Sequence, residues 1–140
     1  MATLKHDRIC INLPVADLDR SIRFYERLGF EKHPVFGGPD CQCMIVSDHI
    51  HIMMHLADSL KQFTPHEVAD PSHATGVVLS LDCETRERVD EIVATAVANG
   101  GGTYDSPQDL GFIYSHGFVD ADGNVWRVNY FDPNVPLPGQ

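Results

Sequence analysis

Two periods of hydrophobic spacing take turns along this chain. Over residues 8–15, Ile9, Ile11 and Leu13 alternate with Cys10 and Asn12, the period of a half-buried strand, and Pro14 ends its pairing. From Asp17 the spacing changes to Leu18, Ile22, Tyr25 and Leu28, one face of a helix with Asp17 as N-cap and Gly29 as its stop. Strand-like runs follow over 30–36, 41–47 and 50–56, separated by Gly37, Gly38 and Pro39 and by a tight turn at Ser47, Asp48 and His49. Residues 57–75 are polar, carry Pro65 and Pro71, and predict a connection with one helical turn near Leu60 and Phe63.

The same order then returns. A strand is predicted over 77–81, followed by a helix whose apolar face is Val89, Ile92, Val93, Ala96 and Val97 and whose stop is Gly100, Gly101 and Gly102. Further strands are predicted over 103–106, 112–119 and 125–131, the last two joined by a turn at Asp120, Ala121, Asp122 and Gly123. Strand, helix and three strands thus occur twice. This predicts an α+β fold of two βαβββ modules, 8–56 and 76–131, joined by the 57–75 linker within a single domain and followed by a proline-rich tail, 132–140.

Composition narrows the function classes. A chain of 140 residues, 43% hydrophobic and 21% charged, has enough apolar surface for one folded core. Its net charge of -10, with Lys and Arg scattered, argues against nucleic acid and for a small-molecule partner. No apolar run reaches the roughly 18 residues that span a bilayer, and no secretory leader pattern opens the chain, so a cytoplasmic address without a membrane partner is expected. Cys10, Cys41, Cys43 and Cys83 have no C-x-x-C spacing and are expected as reduced, mostly packed thiols.

Two motifs carry a family resemblance. The stretch Ile11-Asn-Leu-Pro-Val-Ala-Asp-Leu-Asp-Arg-Ser-Ile-Arg-Phe-Tyr-Glu-Arg-Leu-Gly-Phe30 resembles the opening strand and helix of the vicinal oxygen chelate superfamily, which includes glyoxalase I, extradiol dioxygenases and fosfomycin and bleomycin resistance proteins. Phe118-Val-Asp-Ala-Asp-Gly-Asn-Val-Trp126 resembles the family's turn into its final strand, with Ala121 in place of the common proline. The resemblance implies a mixed sheet rolled into an open cup, a ligand site on the inner face and a homodimer.

The resemblance also implies metal-ligand positions on the first and last strands of each module, which are assigned to Cys10, His55, Gly76 and Arg127. Gly76 has no side chain and Arg127 has no lone pair to give, so the usual divalent metal is not expected as a cofactor. The expected pocket is lined by Cys10, Asn12, Met53, His55 and Arg127, with Tyr114 and His116 as further ligand-binding candidates; Val125 and Asn129 share the face of Arg127 by period-two alternation. The fork of Arg127 suits a carboxylate, phosphate or phosphonate, or else an acidic residue of the protein itself.

Other chemistry is weaker. Cys10 opposite His55 would make a thiolate with its base, or half of an altered metal site. His49, His51 and His55 are spread along one strand too far to share an ion, and Cys41 and Cys43, two apart, are assigned to the core. Phe63, His66 and His73 lie on the linker that would form a lid over the cup. Two functions follow: a small-molecule-binding protein without the usual metal, taking a small anion, or a metal-dependent lyase, isomerase or dioxygenase of glyoxalase type with an altered ligand set.

Overall fold

The computed structural model describes residues 5–139 and divides the chain into two compact units, Met1–Asp70 and Pro71–Gln140. The first holds β1 (Ile9–Pro14), α1 (Leu18–Arg27), β2 (Glu31–Gly37), β3 (Cys41–Ser47), β4 (Ile50–His55) and the short α2 (Ala57–Lys61). The second holds β5 (Val78–Asp82), α3 (Arg86–Ala98), the two-residue β6 (Gln108–Asp109), β7 (Ile113–Val119) and β8 (Val125–Phe131).

Both units use one topology. The sheet orders are β1-β4-β3-β2 and β5-β8-β7-β6, with the first strand parallel to the last and the remaining pairs antiparallel. The α+β class and the duplicated βαβββ order are therefore as the hydrophobic pattern predicts. Among the described residues no helix is long and apolar enough to cross a membrane.

Capping side chains start both long helices. Asp17 accepts from the Arg20 N–H at 3.1 Å and Thr85 from the Arg88 N–H at 3.0 Å, each cap contributing about 1 kcal/mol. Gly29 ends the α1 turn at φ 101°, a backbone that L side chains rarely adopt. Helix α1 buries Phe24 and Tyr25, and Leu28 just beyond it, against a sheet face that carries Leu13, Ile52, Met54 and Met44. Helix α3 does the same with Val89, Ile92, Val93 and Ala96 against Leu79, Trp126, Val128 and Phe118.

Two predictions at this level are corrected. Val97 is exposed, because it lies about 80° round the helix from Val89 at 100° per residue and in the final turn. Residues 103–106 form no strand: only Gly102 bridges Val119, and the Gly117 edge is taken by side chains instead. Thr103 Oγ1 donates to the Gly117 carbonyl at 2.8 Å, and Asp105 Oδ1 accepts the Gly117 N–H at 3.0 Å. With those two groups satisfied the ladder has nothing to pair there, and Pro107 supplies no N–H to resume it.

Candidate functional site

Arg127 is held on the second sheet by four side-chain hydrogen bonds. It stands on β8 beside Val125 and Asn129, on the face opposite α3, together with Ser115 and Gly117 of β7. Its Nε and Nη2 donate to Ser115 Oγ at 3.1 and 3.0 Å, and its Nη1 donates to Asp105 Oδ2 at 2.9 Å and to the Tyr104 hydroxyl at 3.1 Å. Ser115 Oγ in turn donates to Asn129 Oδ1 at 2.7 Å. Four of the five guanidinium N–H groups are thus engaged, leaving one on Nη2 with no acceptor among the described residues.

The ion pair sets the electrostatics. Burial works against ionised Asp105, but the Gly117 N–H, Arg127 and His116 outweigh it and hold the carboxyl below the usual Asp value. Burial also works against charged Arg127, and Asp105 and Tyr104 more than restore it, so its pKa is raised. Of the two partners left open for Arg127, the acidic residue of the protein is present, and it is Asp105.

Tyr104 packs on Gly117, where any Cβ would collide with the phenol ring, and its hydroxyl donates to the Trp126 carbonyl at 3.2 Å. Beside it runs a groove of about 610 Å³ lined by Val78, Val119 and Val125, by Tyr104 and Arg127, and by the 71–75 segment including His73. Gly123, in the Asp120 turn, is part of the lining. Asp120 Oδ1 accepts the Asp122 and Asn124 N–H groups at 2.9 Å each, and Gly123, at φ 100°, lets the Pro71 carbonyl approach to where a Cβ would stand 2.8 Å away. The turn motif is structural, shaping a wall of the groove.

The predicted residues divide. Cys10, Asn12, Met53 and His55 share the face of the first sheet opposite α1, as alternation requires. Tyr114 and His116 do not join Arg127. Tyr114 points to the helix side and donates to Asp90 of α3 at 2.6 Å, and His116, on the same side, turns at the sheet edge to the Asp105 carbonyl at 3.0 Å and to Thr103 Oγ1 at 3.1 Å. Both therefore leave the list of cavity residues.

Cys10 and His55 are not opposite one another. Cys10 pairs with His51, whereas His55 pairs with Pro14, four residues further along β1 and so about 13 Å away. A thiolate–imidazole pair and a shared metal ion at these two residues are both corrected by that register. Cys10 instead neighbours His51, whose Nδ1 lies 3.7 Å from Cys43 Sγ; burial lowers the His51 pKa and raises those of both thiols. Cys43 is buried, as its assignment to the core expects, and Cys41 is half-buried, both on this face opposite α1.

The assigned metal positions also fall out of step. Counting back from the helix caps, Asp17 and Thr85, Cys10 corresponds to Val78, and Gly76 precedes β5 altogether. Counting from the parallel pairs, Pro14 with His55 corresponds to Asp82 with Asn129, so the counterpart of His55 is Asn129 and that of Arg127 is Met53. Val78 carries no donor and Asn129 only a neutral amide, and among the described residues no three His, Cys, Asp or Glu side chains are grouped to hold an ion. The residues do not fit a glyoxalase-type metal.

His55 is nevertheless well held. Its Nε2 lies 2.8 Å from Asn12 Oδ1 and its Nδ1 2.8 Å from Ser59 Oγ, while the Phe63 ring stands 5.4 Å away. Burial lowers its pKa. Of the lid candidates, Phe63 thus stands beside His55, His73 lines the groove, and His66 is exposed with its carbonyl accepting from Lys61. Ser115, Asp105, Tyr104 and Ser59 are the participants that sequence reasoning missed.

Known proteins bear on this geometry. Residues 7–128 match the family model described as the Glyoxalase/Bleomycin resistance protein/Dioxygenase superfamily. No curated protein matches. A glyoxalase/bleomycin resistance protein/dioxygenase family enzyme from Burkholderia phytofirmans superposes with a TM-score of 0.73 at 22% identity, covering 88% of this chain and 97% of its own. A glyoxalase-related enzyme from Fulvimarina pelagi gives 0.75 at 22% identity, covering 97% and 94%. A bleomycin resistance determinant encoded on transposon Tn5 gives 0.62 at 22%, covering 91% and 99%. At such identities the likeness is one of fold.

Proposed function

Because the chain belongs to the glyoxalase/bleomycin resistance protein/dioxygenase superfamily, we propose that it binds a small molecule in the groove of its second unit, without the metal usual to glyoxalase-type sites. The observation that carries this reading is the state of Arg127. It lines the groove, four of its N–H groups are fixed by Ser115, Tyr104 and Asp105, and one remains for an outside acceptor.

The chemistry of the lining supports a ligand class. Val78, Val119 and Val125 suit an apolar body, and the remaining N–H of a guanidinium suits a carboxylate or similar oxyanion at its end. Asp105 already balances the charge of Arg127, so the preference for an anion over a neutral acceptor is moderate. Within this reading the chain works as a cytoplasmic homodimer, the arrangement the family resemblance implies.

The enzyme alternative needs a metal to polarise neighbouring oxygens of a substrate, and no observation favours the Cys10 and His55 set it would use. Elemental analysis of untagged, dialysed protein separates the two. The binding reading expects metal far below one per chain, and stoichiometric metal that survives dialysis would overturn it.

A further inference from the structure

His55, Asn12 and Ser59 form a second constellation, within the first unit and sharing no residue with the groove. Asn12 Oδ1 can only accept, so the imidazole proton sits on Nε2 and the Nδ1 lone pair receives the Ser59 hydroxyl, each bond 2.8 Å long. The local sequence produces this directly. β4 ends at His55 and α2 begins at Ala57, so Ser59 comes round the strand-to-helix turn four residues later. Asn12 lies on the neighbouring strand, one same-face position from Pro14, the residue paired with His55.

Nucleophile, base and orienting acceptor are thereby in line, and the base is 98% withdrawn from solvent, with an exposure of 2%. Burial lowers the pKa of its imidazole and so favours the neutral form, which can take a proton. Ser59 itself is half-buried and Asn12 exposed, and Phe63, 70% exposed, offers an aromatic wall beside the imidazole.

The geometry points to an acyl-transfer site for small aryl or alkyl esters, with Ser59 as nucleophile, His55 as general base and Asn12 as positioning residue. Ser59 Oγ bonds to the ester carbonyl carbon as its proton passes to His55 Nδ1. The carbon–oxygen bond to the alcohol breaks, and the alcohol leaves with that proton. Water then adds to the acyl-serine, giving a proton to Nδ1 that returns to Oγ as the carboxylic acid departs. The sum is ester plus water to acid plus alcohol. Phe63 would stack on an aryl leaving group.

The full chain, incubated with 4-nitrophenyl acetate and digested for mass spectrometry, tests this. One acetyl group on Ser59 is expected, formed about 100-fold faster than in His55→Gln. Asn12→Asp, which also accepts from Nε2–H, should keep the rate, whereas Asn12→Leu should lose it; a purely packing role for Asn12 would not separate these two. Acetylation confined to other residues of the wild-type chain overturns the proposal whether or not any variant folds. So does an unchanged rate in a His55→Gln protein that melts cooperatively.

Discussion

Ser115 Oγ accepts two hydrogen bonds from one side of Arg127, from Nε at 3.1 Å and from Nη2 at 3.0 Å. The hydroxyl is buried on the strand next to the arginine and passes its own proton to Asn129 at 2.7 Å. A flexible side chain is thereby fixed as a planar element of the sheet face. Ser115→Ala strands two guanidinium donors and is expected to cost about 2 kcal/mol in urea unfolding. A loss below about 0.5 kcal/mol would show that Ser115 does not hold the fork.

Tyr104 and Gly117 should be coupled. Gly117→Ala forces the Tyr104 ring off β7, and with it the bonds to the Trp126 carbonyl and to Arg127. The single substitution is expected to lower stability by about 2 kcal/mol, whereas adding it to Tyr104→Ala should cost less than half as much. Additive losses in a thermal double-mutant cycle would contradict the packing described.

Acid should weaken the protein in two stages. His51 and His55 have depressed pKa values in the folded state, so their contribution is complete above the unfolded value of about 6.5 and is lost as pH falls from there through the folded values. Asp105 is also depressed, and its contribution is complete above about 4 and is lost as pH falls below that. Unfolding free energy measured from pH 8 to pH 3 should therefore decline first below about pH 6.5. His55→Gln should flatten that first stage, and Asp105→Asn the second.

The thiols should differ in reactivity. Cys10 is exposed and Cys43 buried, so under native conditions a disulfide reagent should modify Cys10 well before Cys43. Burial raises the Cys10 pKa, with Arg8 pulling it back, so its labelling rate should still be climbing at pH 9. Peptide mapping of the labelled chain checks both points, and early labelling of Cys43 would contradict them.

The fold was legible because each helix carries its own cap and each core strand its own alternation. β3 and β8 begin and end where the hydrophobic runs do, and Asp17 caps α1 as its position implies. The site was legible only in part. Arg127 and Asn12 follow from parity within a strand, but Tyr114 and His116 were placed by the face they share and the family resemblance, and not by the core residue on that same face. Phe118 is fully buried under α3, and counting back by twos from it puts 116 and 114 on that same side and leaves Ser115 and Gly117 on the face of Arg127.

Asp105 and Tyr104 gave no such signal. They sit in a segment whose hydrogen bonds run from side chains to Gly117, which alternation does not report. The Cys10 and His55 pairing failed for a different reason: membership of one face does not fix register between parallel strands, and four residues of offset separate them. Ser59 was hidden in a polar connection whose turn geometry becomes visible only once α2 is placed.

The role of Arg127 can be tested most directly with matched ligands. Titration of the untagged protein with aromatic carboxylates and their amides, phenylacetate against phenylacetamide first, reads whether the remaining Nη2 N–H receives a charged acceptor. The carboxylate is expected to bind about tenfold more tightly, about 1.4 kcal/mol, and Arg127→Gln should erase that difference. Equal affinity for the two, or a preference that survives Arg127→Gln, would contradict the account.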